Sequence, residues 1–236
     1  MIGTLRAVVL DAPDARRLAA FYIALGGWTE LYTEDDWVAM QTRDGWRIAV
    51  QHSPDHVPPR WPDPAHPQQA HLDLRVPDLD AGAAKAVELG AELLRENESW
   101  YTLADPAGHP FDLCLFAAKR ETTLRAVTLD CPDARRLSAF YATLLGKPVT
   151  YEGDGVAMVG EDGAQPVRFQ QIAGYRAPRW PDPAYPQQFH LDVTVADAGA
   201  AEAAVLKLGA TSLNASGANW RVYADPAGKP FCLCWD

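Results

Sequence analysis

The sequence predicts an α+β protein built from four βαβββ modules, which are arranged as two tandem pairs. One stretch, Arg60–Asp73, returns 119 residues later as Arg179–Asp192 with twelve of fourteen positions identical. A second stretch, Leu5–Tyr22, returns as Leu124–Tyr141 with fifteen of eighteen positions identical. Inside each repeat, short runs rich in β-branched residues alternate with single amphipathic segments of helical period, which indicates mixed strands and helices.

The first module begins with a predicted strand over residues 5–11, where β-branched residues are frequent. A helix is predicted to follow, because Asp14 can cap its first turn and the apolar residues at helical spacing end at Gly26. Three further strands complete the module, over residues 29–33, 37–41 and 46–52.

A connector rich in proline, residues 53–69, leads into the second module. This module is predicted as a strand over residues 71–76, a helix capped by Asp78, and strands over residues 92–95, 100–104 and 111–116. Residues 117–122 form a short linker, after which the same order of elements repeats. We therefore expect two domains, residues 1–118 and residues 122–236.

Composition and charge exclude several classes of partner. The chain has 31 acidic and 21 basic residues, a balance that argues against binding to nucleic acid or to an anionic membrane surface. No apolar run approaches the ~18 residues of a membrane span, and the start of the chain has no secretory signal. The four cysteines are too sparse for a disulfide scaffold, so we expect reduced thiols and a cytoplasmic protein.

Four short motifs that precede or follow these elements resemble the vicinal oxygen chelate superfamily, which includes glyoxalase I, extradiol dioxygenases and bleomycin-resistance proteins. The motifs are Phe21-Tyr22 before Gly26, His71-Leu72-Asp73, Leu89-Gly90-Ala91, and Asp105-Pro106-Ala107-Gly108 before a last strand. The closest resemblance is to glyoxalase-like domains of actinobacterial type, and it covers nearly the whole chain twice. It implies two tandem glyoxalase-like domains, in which two βαβββ modules form one cup-shaped mixed sheet, so that each half offers one cup.

The resemblance also implies where a metal would be held, since metal-dependent members usually carry His on a first strand and Glu on a last strand. The corresponding positions are Ala7, Gln51, His71 and Asp112 in the first half, and Ala126, Gln170, His190 and Cys232 in the second. Alanine cannot bind a metal, and a divalent ion needs several converging ligands. We therefore assign no cofactor with an intact site. His71 and Asp112 remain a weak alternative for a divalent metal.

Strand alternation adds polar residues to these sites. If His71 faces the cup, Asp73 and Arg75 face it too, and Asp192 joins His190 in the other half. His71 and Asp112 are the candidate catalytic residues, because a His beside a carboxylate suits proton transfer. An alternative is that His71 and Asp112, and Asp73 and Arg75, are simply buried hydrogen-bonded pairs. The candidate ligand-binding residues are Asp73, Arg75, Trp100, Gln51, His190, Asp192, Cys232 and Trp220.

The other histidines, His52, His56, His66 and His109, are predicted at the surface or in loops, because the second half replaces each of them with a different residue type. They are not expected to contribute to a site.

These observations predict a protein that binds a small hydrophobic or aromatic metabolite or a drug at a degenerate metal site. The alternative is an enzyme of the same superfamily: a lyase, isomerase or ring-cleaving dioxygenase that uses a metal, or a metal-free enzyme with His71 as base. The first half is expected to hold the more reactive site. No macromolecular partner is predicted beyond a second copy, so the chain is expected to be a monomeric pseudo-dimer or a homodimer.

Overall fold

The computed structural model describes residues 1–118 and 120–236, in which sixteen strands and four helices follow the predicted order. The first module contains β1 (Thr4–Ala12), α1 (Ala15–Gly26), β2 (Thr29–Glu34), β3 (Trp37–Gln41) and β4 (Arg47–His52). The second contains β5 (Ala70–Val76), α2 (Leu79–Glu88), β6 (Glu92–Glu96), β7 (Trp100–Ala104) and β8 (Pro110–Leu115).

The second half repeats this order. The third module contains β9 (Thr123–Cys131), α3 (Ala134–Leu145), β10 (Val149–Gly153), β11 (Val156–Val159) and β12 (Val167–Gln171). The fourth contains β13 (Phe189–Thr194), α4 (Ala198–Lys207), β14 (Thr211–Ser216), β15 (Trp220–Ala224) and β16 (Pro230–Cys234). The predicted linker, residues 117–122, includes Lys119, which lies outside the described residues.

The helices begin and end where the sequence predicts. The Asp14 side chain accepts a hydrogen bond from the Arg17 amide at 2.9 Å, and Asp78 does the same for Ala81 at 2.9 Å. Helix α1 closes at Gly27, whose φ of 63° lies in the left-handed region that glycine adopts without a steric penalty.

The strands form two open sheets of eight strands each. One sheet has the order β14-β15-β16-β13-β1-β4-β3-β2, and the other has the order β10-β11-β12-β9-β5-β8-β7-β6. Each sheet contains two βαβββ modules, but the two modules come from different halves of the chain. We call the concave face of the first sheet the outer cup, since the first and fourth modules form it, and that of the second sheet the inner cup.

The expectation that each half forms its own cup is therefore wrong. Strand β1 pairs antiparallel with β13 of the fourth module, and β5 pairs antiparallel with β9 of the third module. The stretches that lead into β5 and β13, Arg60–Asp73 and Arg179–Asp192, are identical at twelve of fourteen positions, so the repeat alone does not tell β1 which of the two strands it pairs with. The first and last strands of each module are neighbours as expected, for example β5 and β8.

The two faces of each sheet differ in polarity. Along β5, Leu72, Leu74 and Val76 belong to the buried apolar core, so His71, Asp73 and Arg75 alternate onto the opposite face. The core is continuous across all four modules. Its aromatic members include Phe21 and Phe111, with ring centroids 5.8 Å apart, and the matching pair Phe140 and Phe231, 5.7 Å apart.

Two glutamines join the halves at the centre of the molecule. The side-chain oxygen of Gln188 accepts from the Gln69 amide at 3.0 Å, and the side-chain oxygen of Gln69 accepts from the Gln188 amide at 2.9 Å. Their side-chain nitrogens donate to the carbonyls of Pro186 and Pro67, at 2.8 and 3.0 Å. We call this reciprocal set the glutamine clasp. Both side chains are buried, so the clasp satisfies polar groups that water does not reach.

The helices of the described residues are short. The longest, α1 and α3, have 12 residues each, and none is long and apolar enough to cross a membrane.

The glutamine clasp makes a testable prediction about stability. Gln69→Ala or Gln188→Ala alone leaves buried amides and carbonyls without partners, and each is expected to lower the free energy of unfolding by about 1–3 kcal/mol. Each alanine keeps the backbone amide to which the other glutamine bonds, so the two losses should add in the double variant to within about 0.5 kcal/mol. Urea denaturation of the four proteins measures the losses. Single variants that unfold with an unchanged free energy would contradict the clasp.

Candidate functional site

The inner cup gathers the first candidate cluster around one imidazole. The Nε2 atom of His71 lies 3.8 Å from Asp73 Oδ1 and 3.8 Å from Asp112 Oδ2. The three residues come from adjacent strands, because Asp73 on β5 is directly opposite Asp112 on β8. The structure thus brings together the His and the carboxylate that the sequence singles out, and it adds Asp73 to them.

Threonines fix the orientation of both carboxylates. The hydroxyl of Thr128 donates to Asp73 Oδ2 at 2.6 Å, and the hydroxyl of Thr102 donates to Asp112 Oδ1 at 2.6 Å. Each carboxylate therefore keeps its other oxygen towards His71. Burial raises the pKa of Asp112, while His71 and Thr102 oppose that shift.

The buried amide of Gln68 lies beside the imidazole and selects the tautomer of its neutral form. Its Nε2 atom faces His71 Nδ1 at 3.3 Å. With this nitrogen donating to Nδ1, a neutral imidazole carries its own proton on Nε2, between the carboxylates of Asp73 and Asp112. The arrangement suits the holding or transfer of a proton.

Two arginines, Arg168 and Arg75, also belong to the inner cup. Arg168 Nη1 is 4.0 Å from Asp73 Oδ2. The predicted pairing of Arg75 with Asp73 is not found, because Arg75 Nη2 instead bonds Asp162 Oδ2 at 2.6 Å, and its guanidinium lies 4.6 Å from the centre of the Phe116 ring. Asp162 belongs to the loop between β11 and β12, so the third module closes this cup.

The outer cup repeats the histidine but not its surroundings. His190 Nε2 is 3.5 Å from Asp192 Oδ1, and Gln187 Nε2 faces His190 Nδ1 at 3.3 Å. Behind them, Asp11 Oδ1 is 3.9 Å from His190 Nδ1. Burial, reinforced by the carboxylate of Asp192, raises the pKa of the Cys232 thiol well above its ordinary value. The thiol therefore stays protonated.

A cavity of about 600 Å³ opens over this histidine. Its lining comes from both halves: Asp36, Trp37, Gln51, His52, Trp180, Gln187, His190, Asp192, Trp220, Val222, Cys232 and Cys234. A volume of this size is typical of small-molecule sites. Trp220 is half-exposed at the wall of the outer cup, and Trp100 occupies the equivalent position in the inner cup.

The composition of the outer cup corrects one expectation about Gln51. The sequence places Gln51 with His71 in the first half, whereas the structure places it with His190 and Cys232. The cause is the sheet order, since Gln51 on β4 is opposite Asp11 on β1, and β1 pairs with the fourth module.

The two cups differ at matched positions of the repeat. Arg168 of the inner cup corresponds to Ala49 of the outer cup, and both lie opposite the middle of a first strand, at Thr128 and Val9 respectively. Ala49, Val9 and Ala7 form a small apolar cluster against Trp37 on the floor of the outer cup. The exchange of arginine for alanine leaves the outer cup without the positive charge that Arg168 places beside Asp73 in the inner cup.

His109 lies in the turn between β7 and β8, as predicted, but the expectation that it is at the surface is wrong, since only 4% of it is exposed. Its Nδ1 is 3.2 Å from Asp105 Oδ2, and its Nε2 is 3.1 Å from the carbonyl of Gln188. The turn that contains His109 lies at the contact between the halves. Lys229, its equivalent in the second half, is fully buried, and its Nζ has no hydrogen-bond partner among the described residues.

Several residues that shape the two cups are not among the sequence candidates: Gln68, Gln187, Asp11, Asp130, Thr102, Thr128 and Arg168. Gln68 and Gln187 stand at identical places in the repeat, and so do Asp11 and Asp130. Polar residues preserved between two copies on buried strands were a signal available in the sequence.

Both cups contain side chains that could hold the metal that the superfamily resemblance implies. In each cup three donors lie within 4.8 Å of one another: His71, Asp73 and Asp112, or His190, Asp192 and Cys232. Each set lacks the first-strand ligand of the implied site, because Ala126 stands opposite Asp73 and Ala7 stands opposite Asp192. In the inner cup Arg168 also supplies positive charge, with its Nη1 atom 4.0 Å from Asp73 Oδ2. The residues present therefore do not match the metal site that the resemblance implies.

Comparison with known proteins places this geometry in context. A family model described as a glyoxalase-like domain matches residues 7–114 and, a second time, residues 126–234. Glyoxalase I from Zea mays is similar over 98% of this chain and 92% of its own, with a TM-score of 0.70 and 17% identity. A Bacillus subtilis protein with a provisional dioxygenase description is similar over 100% of this chain and 86% of its own, with a TM-score of 0.65 and 9% identity. A search of curated proteins gives no match. At these identities the structural similarities describe the fold.

The donor sets predict the metal content. Protein purified without a histidine tag should contain no stoichiometric transition metal, because alanine, at Ala126 or Ala7, replaces one ligand of the implied site in each cup. Elemental analysis measures this directly. About one Fe, Mn, Ni or Zn per chain that disappears in His71→Ala would contradict the prediction.

The buried Lys229 predicts a specific dependence of stability on pH. Burial lowers its pKa from 10.5 to about 8, against the opposing charges of Asp225 and Asp130. Between these two values the unfolded chain holds a proton that the folded protein has released, so this lysine makes the free energy of unfolding rise with pH, by roughly 3 kcal/mol at most.

The matched variant Lys229→His, which installs the residue of the first half, should lose this rise. Buried thiols with raised pKa values act in the opposite sense in both proteins, so the difference between wild type and variant isolates the lysine. Urea denaturation between about pH 7 and pH 10 measures it. A difference that does not change with pH would show that Lys229 is not deprotonated in the folded state.

Proposed function

We propose that this chain binds a small molecule with an apolar or aromatic body in the outer cup. The chain belongs, in both of its halves, to the glyoxalase-like domain family. The observation that carries the proposal is the cavity of about 600 Å³ over His190, which is large enough for a drug-sized ligand.

The walls of this cavity suit an aromatic or apolar ligand. Trp37, Trp180 and Trp220 contribute flat faces, and Val222 stands where the inner cup has the hydroxyl of Thr102. Burying apolar ligand surface against such walls stabilises a complex by about 25 cal/mol per Å² before the costs of association are subtracted. The polar groups, His190, Asp192 and Gln51, are concentrated on the floor, where they can orient one polar group of the ligand.

Both cups belong to one chain, and each sheet is completed by modules of that chain. A second copy is therefore not needed to build either site, which favours a monomeric pseudo-dimer. The four cysteines are unpaired, in keeping with a reducing compartment such as the cytoplasm.

A second candidate function is acid–base catalysis in the inner cup, by a lyase, an isomerase or a dioxygenase. The observation that favours it is the imidazole of His71, which lies 3.8 Å from each of two carboxylates and is held by the Gln68 amide. In this arrangement His71 holds a proton at Nε2 and Asp112, whose pKa burial raises, can take or return one. It ranks second because the charged groups of the inner cup already have partners within the chain: Arg75 bonds Asp162, and Arg168 Nη1 lies 4.0 Å from Asp73 Oδ2.

The proposed binding function is tested by filling the outer cup. Ala49→Arg places in the outer cup the arginine that the inner cup carries as Arg168, and it should abolish binding of ligands found by thermal-shift screening of an aromatic compound library. Trp220→Ala should weaken binding about tenfold or more through loss of a stacking face.

The matched control is Trp100→Ala, which removes the equivalent tryptophan from the inner cup and should leave the affinity unchanged. Isothermal titration calorimetry of the four proteins gives the comparison. Ligands that bind Ala49→Arg as tightly as wild type, or that depend on Trp100 instead of Trp220, would refute the proposed site.

A further inference from the structure

We infer that the ligand of the outer cup carries a positive charge: a protonated amine or quaternary ammonium attached to an apolar or aromatic body. This inference rests on the proposed function and names the chemical class of its ligand. Its basis is the charge of the cavity, the lack of a fixed cation beside Asp192, and the three tryptophans around them.

The lining of the cavity is acidic. It contains two carboxylates, Asp36 at the mouth and Asp192 on the floor, and no lysine or arginine. A third carboxylate, Asp11, stands behind His190 with its Oδ1 atom 3.9 Å from the imidazole. A cavity with walls of low dielectric strengthens the field of the carboxylates it encloses, so an organic cation is favoured over an anion of the same size.

Asp192 is the buried carboxylate of this lining, and the groups beside it, the imidazole of His190 and the thiols of Cys232 and Cys234, carry no fixed positive charge. It is nine-tenths buried, and its one charged neighbour within 4 Å in the described part of the chain is His190. Its equivalent in the inner cup, Asp73, accepts a hydrogen bond from Thr128 at 2.6 Å and has Arg168 Nη1 at 4.0 Å. The corresponding residues of the outer cup are Val9 and Ala49, which offer neither a donor nor a charge.

In the inner cup, the equivalent carboxylate of Asp73 thus has a positively charged partner from the same chain, Arg168. In the outer cup the neutralising arginine is missing, and open volume takes its place. Because a buried charge without a partner is costly, a ligand that brings a positive charge to this position gains the interaction that Arg168 supplies in the inner cup.

The tryptophans favour the same ligand class. Trp37, Trp180 and Trp220 line the cavity together with Asp36 and Asp192. The face of an indole ring carries negative partial charge and attracts ammonium groups, most strongly quaternary ones, when they are removed from water. Arg6 and Arg47 line an adjoining groove that shares Asp192 and Trp220 with the cavity, but they do not line the cavity itself. Arg6 instead lies 3.8 Å from the carboxylate of Asp236.

Three probes that share a naphthylmethyl body and differ in the head group test the inference by isothermal titration calorimetry. They are naphthylmethyl-trimethylammonium, naphthalenemethanol and naphthylacetate. The cation should bind wild type about tenfold or more tightly than the alcohol, and the anion more weakly than both. Asp192→Asn should remove most of the preference for the cation over the alcohol while leaving the affinity for the alcohol within about threefold of wild type.

Asp35→Asn is the control for net charge, because it removes a carboxylate beside the cup that does not line the cavity. It should leave all three affinities unchanged. Equal binding of cation and alcohol, tighter binding of the anion, or an undiminished cation preference in Asp192→Asn would overturn the inference.

The outcomes also separate this inference from the proposed function. Alcohol binding that Ala49→Arg abolishes, without a preference for the cation, would leave the outer cup as a ligand site and refute the charge assignment. Failure of all three probes to bind at concentrations up to about 5 mM would count against the binding function itself, and the charge assignment would fall with it.

Discussion

The pairing of β1 with β13, and of β5 with β9, is the interaction on which the rest of the structure depends. It joins the first module to the fourth and the second to the third, so that each sheet contains strands from both halves of the chain. The glutamine clasp secures the crossing, because Gln69 and Gln188 bond each other's backbone at its centre. Both cups therefore depend on contact between the halves, and a substitution that disrupts the glutamine clasp is expected to affect both sites.

The two cups have the same repeated backbone but different side chains in their linings, and this accounts for their different polarity. The backbone delivers a histidine, a glutamine and an aspartate to the same places in each: His71, Gln68 and Asp73 in one cup, and their equivalents in the other. The neighbouring strands differ, since Arg168 corresponds to Ala49 and Asp112 corresponds to Cys232 in the repeat. In the inner cup Arg168 lies 4.0 Å from Asp73 Oδ2, whereas under our proposal a ligand supplies the positive charge in the outer cup.

The sequence alone predicts the elements and the family. Four βαβββ modules, the caps at Asp14 and Asp78, and the alternation of β5 are confirmed, as is the resemblance to the vicinal oxygen chelate superfamily. These features follow from local rules, since capping and periodicity need only neighbouring residues.

What the sequence does not predict depends on contacts between distant residues. The partner of β1 is ambiguous because β5 and β13 open with the same His-Leu-Asp motif, and Gln51 is assigned to the wrong cup for that reason. Arg75 bonds Asp162, 87 residues away, in preference to its strand neighbour Asp73. His109 and Lys229 are buried because the central contact covers their turns, which no local pattern of polarity indicates.

The central claim is that two cups are built across the halves and that the outer one is open to a ligand. Indole-selective NMR of the eight tryptophans during titration with a bound aromatic compound tests it most directly. The account predicts that the signals of Trp37, Trp180 and Trp220 shift together, although these residues belong to different halves, while those of Trp61 and Trp100 stay in place. Shifts confined to Trp61 and Trp100, or to the tryptophans of a single half, would contradict it.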